Sequence, residues 1–130
     1  MEVTRIKPKG FPVPVAPFSY AIRARGGHFL FIPNQMPVDS VGQIVGQGDI
    51  VRQATQVFEN LKAILNEVNA GFEHIVKITW YLSTREHWRP VVDVRKKYFK
   101  EKWPVATFIL MDHLSRPDVL MELNAIAIID

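Results

Sequence analysis

Val119-Leu120-Met121-Glu122-Leu123-Asn124-Ala125-Ile126-Ala127-Ile128-Ile129 is the most apolar run of the chain and decides its architecture. Side chains alternate sides along a strand, so Val119, Met121, Leu123, Ala125, Ala127 and Ile129 share one face. The other face carries Leu120, Ile126 and Ile128 with Glu122 and Asn124 among them. Such a strand belongs inside a sheet and needs cover on both sides. The run is well short of the roughly 20 apolar residues that cross a bilayer, and no other run approaches that length. The 130 residues, 48% hydrophobic and 22% charged, suit one folded domain over 1–130. The start Met1-Glu2-Val3-Thr4-Arg5 has no apolar segment of the kind a signal peptide needs. With no cysteine, disulfides, thiol nucleophiles and cysteine-ligated metals are excluded, and a reducing cytoplasm is the expected compartment. The net charge of +3 is too weak a field to point to nucleic acid.

Working back from that strand, Val105 to Met111 reads as its predecessor, joined to it by a polar loop containing Ser115-Arg116-Pro117-Asp118. A helix opening at Pro90 and running to about Lys100 precedes them, with Val91, Val94 and Tyr98 as its inner stripe and Phe99 at the edge. Val76, Ile78, Trp80 and Leu82 alternate with Ile75, Lys77, Thr79 and Tyr81, which predicts a strand. Before it, Asp49 caps a long helix. Its apolar stripe is Ile50, Ala54, Val57, Phe58, Leu61, Ile64, Leu65 and Val68, and Gly71 is the expected terminator. Pro37 to Gly48 reads as a loop, with a short strand at Gln43-Ile44-Val45. Phe18–Arg25 and His28–Ile32 read as a hairpin around Gly26-Gly27. Four of the nine prolines fall in residues 1–17, so Lys7 to Pro17 reads as an extended arm laid over the domain.

The order β-β-α-β-α-β-β gives an α+β sheet with two helices on one face. The other face keeps an apolar row that a soluble monomer does not tolerate, so identical copies are expected to cover it.

Chemistry-bearing patterns are few. His28, His74, His87 and His113 are isolated and give no metal-ligand spacing. Gly42, Gly46 and Gly48 precede a helix without a phosphate-binding pattern, and Ser19, Ser40, Ser83 and Ser115 lie outside any GxSxG elbow. No metal and no cofactor are expected. Arg95-Lys96-Lys97, Lys100 and Lys102 read as a solvated face that complements a helix dipole. Glu122 stands out, because a carboxylate in so apolar a strand must pair, hydrogen-bond or protonate. Its alternatives are a catalytic site, or a strand end or subunit edge where it meets a lysine or arginine.

Several segments in this order resemble the RidA/YjgF family of reactive intermediate deaminases, also labelled endoribonuclease L-PSP. They are Ala16-Pro17-Phe18-Ser19, Gln35-Met36-Pro37, Gly48-Asp49-Ile50 with Gln53-Ala54, Phe58-Glu59-Asn60-Leu61-Lys62-Ala63-Ile64-Leu65, Val76-Lys77-Ile78-Thr79, Tyr98-Phe99, Pro104, and Glu122-Leu123-Asn124-Ala125-Ile126-Ala127. The resemblance implies a chorismate-mutase-like homotrimer with sheets inside, helices outside and three clefts between subunits. It further implies hydrolysis of small imino or enamine acids, with a glutamate matching Glu122 orienting water. Phe18, Asn34, Gln35, Ala106 and Thr107 match the family's substrate-binding positions. An alanine at 106 replaces the arginine that grips a substrate carboxylate in the family's deaminases. Arg23, Arg25, Arg89 and Arg116 are the candidates to replace it. The resemblance therefore implies a deaminase for another imine or enamine, or a trimer that binds a small molecule without turnover. Ribonuclease chemistry ranks behind both, and no membrane partner is expected.

Overall fold

The computed structural model describes residues 1–14 and 16–130; Val15, part of the expected arm, lies outside the described residues. Six strands and two helices run in the order β1 (Glu2–Ile6), β2 (Ala21–Arg25), β3 (His28–Gln35), α1 (Ile50–Glu67), β4 (Ile75–Leu82), α2 (Trp88–Phe99), β5 (Val105–Leu110) and β6 (Met121–Ile129). The architecture is α+β, as the periodicities imply. One sheet has the order β3-β6-β4-β5, and β1 with β2 forms a separate ribbon. β6 is antiparallel to both its neighbours. β4 and β5 are parallel, as a connection through α2 allows.

Three expectations need correcting. The Gly26-Gly27 turn forms, with φ of 81° and 76°, but it does not join a paired hairpin. β2 pairs instead with β1, a strand absent from the expected order, and β3 pairs with β6. Asn69 at φ 54°, rather than Gly71, carries the left-handed residue that ends α1, and Ala70 N–H closes on the Leu65 carbonyl at 2.9 Å. The strand at Gln43–Val45 reduces to a single bridge between Val38 and Ile44.

The Asp49 cap is present, its Oδ1 accepting from Arg52 N–H at 3.1 Å. Ala54, Val57, Phe58, Leu61 and Leu65 of α1 are buried against Ile78, Trp80 and Leu82 of β4 and Leu123 of β6. A bulge between Ile75 and Lys77 in the β4–β6 pairing lets Ile75 join that core although it sits out of phase with the rest of β4. Among the described residues, no helix is long and apolar enough to cross a membrane.

Arg95 departs from its expected solvated face. Its position four residues after Val91 places it on the buried stripe of α2, and it is 1% exposed. The guanidinium lies 4.1 Å from the Trp80 ring centre and donates from Nη2 to the Pro17 carbonyl, tying the opening segment to the core. Nε and Nη1 have no partner among the described residues. Burial pulls its pKa down to about 9, which leaves it charged at neutral pH. Two unpartnered buried donors are costly, whereas the stem and stacking stabilise. Arg95→Ala is therefore expected to destabilise by about 2 kcal/mol or more, and Arg95→Met to stay within about 1 kcal/mol of the parent or exceed it. Urea denaturation checks both; equal losses would show that the guanidinium itself carries the stability.

Candidate active site

The sheet face opposite the helices has an apolar end and a polar end. At the apolar end Phe29 faces Ile128 and Phe31 faces Ile126 across the β3–β6 pair. The two rings stack at 5.9 Å and are 64% and 71% exposed. At the polar end β4 pairing sets Tyr81 beside Glu122 and Thr79 beside Asn124, and Thr107 of β5 continues that row beside Thr79.

Glu122 is 2% exposed and no cation touches it within the described residues. Its carboxylate is held by neutral donors alone. Oε1 accepts from Ser115 Oγ at 2.8 Å and Asn34 Nδ2 at 3.2 Å, and Oε2 accepts from Ser115 N–H at 2.7 Å. Asn124 Nδ2 donates to Asn34 Oδ1 at 2.8 Å and fixes the Asn34 amide. Hydrogen bonds of this kind offset much of the desolvation cost, and none of the three donors brings a positive charge. The strand-end ion pair is not what holds this carboxylate.

Ser115 reaches Glu122 because α1 clamps its loop. Buried Gln53 donates from Nε2 to the carbonyls of Asp118 and Gly46, at 2.9 and 3.1 Å, and accepts from Leu120 N–H at 2.8 Å. Gln47 Nε2 donates to Asp118 Oδ2 at 2.7 Å and Arg116 Nη1 to the Gly42 carbonyl at 2.8 Å, so the 37–48 loop braces the same segment. No motif signals Ser115 in the sequence, and Gln53 enters only as part of the Gln53-Ala54 resemblance, with no role attached. Each acts through a fold contact: Gln53 lies three residues after Ile50 and four before Val57, on the buried face of α1, but its polar partners come from a distant loop.

A concavity of about 390 Å³ opens on Glu122, lined also by Asn34, Tyr81, Met111, His113, Leu114 and Ser115. A neighbouring depression of about 420 Å³ shares Asn34 and runs to Phe31 and Ile126. A larger concavity, about 910 Å³, lies away from this chemistry between the C-terminal ends of α1 and α2. Lys97, Lys100 and Lys102 are exposed there, as expected of a solvated face. Burial, with help from the 2.8 Å bond to Glu59, pushes the Tyr98 hydroxyl in its wall up to about 12.

Of the positions matched by resemblance, one chain brings together Glu122 and Asn34, with Thr107 on the same face. Gln35 is half-buried and donates to the Pro33 carbonyl at 2.9 Å. Ala106 lies beside Ile78 on the helix side, packed against the core. Phe18 packs edge-on against Tyr20 at 5.4 Å, one residue before Ser19, whose N–H bonds the Pro104 carbonyl at 3.0 Å. Phe18 and Ala106 therefore gather near the start of β5, apart from Glu122. The candidate arginines are engaged elsewhere or remote. Arg25 pairs with Glu2 at 2.9 Å, Arg89 lies over Trp88, Arg116 holds Gly42, and Arg23 lies on the β1–β2 ribbon. Among the described residues no three histidines, cysteines or carboxylates converge as a metal site.

Residues 9–129 match the family described as Endoribonuclease L-PSP. A RutC family protein of Pyrococcus abyssi is 39% identical over 117 residues, covering 89% of each chain. One of Pyrococcus horikoshii is 40% identical over 117 residues, covering 89% of this chain and 90% of the relative. Among solved structures, the Rid family protein YyfB of Yersinia pestis superimposes with a TM-score of 0.90 at 26% identity, covering 99% of this chain and 100% of that one. Yeast Mmf1 superimposes with a TM-score of 0.73 at 29% identity, covering 99% and 100%. The match over residues 9–129, the relatives' identities and the shared fold agree, and the chain belongs to the Endoribonuclease L-PSP family, alongside RutC and Rid proteins.

Proposed function

We propose that the chain is the protomer of a cytoplasmic homotrimer whose inter-subunit clefts hydrolyse a small imine or enamine other than the 2-imino acids. The observation that carries this reading is the buried Glu122 carboxylate, fixed by Ser115 and Asn34 at a concavity in the polar end of the open sheet face. Phe18 and Ala106 sit apart from Glu122 within one chain, so a cleft that uses both sets draws them from two copies. Water adds to the imine carbon, and its proton passes by way of Glu122 to the nitrogen. The proton of the new hydroxyl follows by the same carboxylate to the nitrogen as the C–N bond breaks, so a carbonyl compound and ammonia leave and Glu122 is returned to its starting state. Asn34 and Ser115 hold the base in place, which is the orientation such a reaction needs.

One observation favours a second reading, a trimer that binds without turnover. Three of the carboxylate's acceptor positions are already occupied, which leaves less capacity for a water. An assay that generates imines in situ separates the two: product formation supports the hydrolase, and binding without product supports the module. Because Ala106 offers no guanidinium, 2-iminobutanoate and 2-iminopropionate are expected to turn over about 10²-fold or more below the rate of an arginine-bearing relative. A matching rate would overturn that expectation.

A further inference from the structure

The charge inventory of the Glu122 face points to one ligand class. The two depressions that meet at Asn34 contain no lysine and no arginine among their lining residues, and His113 is the one basic side chain there, making no contact with the Glu122 carboxylate. Glu122 is the single acid there, and its three donors are neutral, so the hydrogen bonds satisfy oxygen lone pairs without cancelling the charge. Tyr81 stands beside Glu122 across the β4–β6 pair, and the Met111 thioether lines the same concavity. A fixed negative charge with an aromatic ring and a polarisable sulfur next to it is complementary to a positive ligand. A carboxylate ligand would instead meet Glu122 with no lysine or arginine of the same chain to offset the repulsion.

The geometry points to an organic cation as the ligand of this cleft, a protonated amine or iminium with a small apolar body and no carboxylate, with Glu122 as its counter-charge and Tyr81 as its ring contact. This rests on the reading above in one respect, that the concavity beside Glu122 is the ligand cleft. It adds the sign of the ligand's charge and names Tyr81 as a specificity-determining residue.

The test uses three probes of nearly one shape on the full chain: isobutylammonium, isobutyramide and isobutyrate, titrated by calorimetry. The cation is expected to bind at least about 10-fold more tightly than the carboxylate, with the amide between. Glu122→Gln is expected to erase that preference, and Tyr81→Leu to weaken the cation while leaving the amide within about 2-fold. Equal or tighter binding of isobutyrate overturns the inference, as does a cation preference that survives in Glu122→Gln. Imine turnover without a cation preference overturns the inference and leaves the hydrolase standing. Cation binding without turnover of any imine supports the inference and removes the hydrolase.

Discussion

Glu122→Gln is expected to lower imine or enamine turnover by about 10²- to 10⁴-fold while leaving the mass and fold of the protein intact. The substitution keeps the shape of the side chain and removes its ability to take a proton. The new carbonyl oxygen can accept from Ser115 N–H in place of Oε2, and the new amide can donate to the Ser115 hydroxyl, which rotates to accept. Asn34 Nδ2 alone loses its acceptor, because Asn34 Oδ1 is held by Asn124. The stability loss is thus about one hydrogen bond, on the order of 1 kcal/mol. Steady-state kinetics beside a thermal melt separates the two effects. A variant within about 3-fold of the parent rate would remove Glu122 from the chemistry.

Phe31→Glu is expected to convert the assembly into single chains at micromolar protein. Phe31 is mostly exposed, stacks only on Phe29 among the described aromatic rings, and faces Ile126, so the isolated domain loses little by its replacement. At a seam the same residue acts once per copy. Each buried phenylalanine contributes about 1.5–3 kcal/mol, and each carboxylate forced into an apolar seam costs several more. Circular dichroism is expected to stay unchanged while sedimentation shows the smaller species. Phe31→Leu keeps an apolar contact and is expected to remain assembled. An assembly that tolerates the glutamate would show that this face is not the seam.

Where one face of one element decided the outcome, the structure could be read from the sequence. The α1 stripe from Ala54 to Leu65 and the Asp49 cap are local patterns and appear where they are expected. Glu122 was legible too, because a carboxylate between Met121 and Leu123 has no inexpensive place to go. Pairing partners were not legible. Gly26-Gly27 specifies a turn, but nothing nearby in the chain says that β2 will choose β1 over β3. Arg95 was hidden by its neighbours: beside Lys96 and Lys97 it looks like part of a charged face, although helical spacing from Val91 puts it on the buried one. Ile75 crosses to the core through a bulge that alternation alone cannot foresee. Ser115 finds Glu122 through a loop whose course is set by Gln53, a tertiary contact without a local signature.

That copies of this chain close over the Phe29, Phe31 and Glu122 face is the claim on which the cleft, its chemistry and its ligand depend. Sedimentation equilibrium of the unmodified protein at micromolar concentration tests it most directly. Three chains of 14.9 kDa give an expected mass of about 45 kDa, stable on dilution across that range. A well-folded species that stays at 14.9 kDa throughout would contradict it.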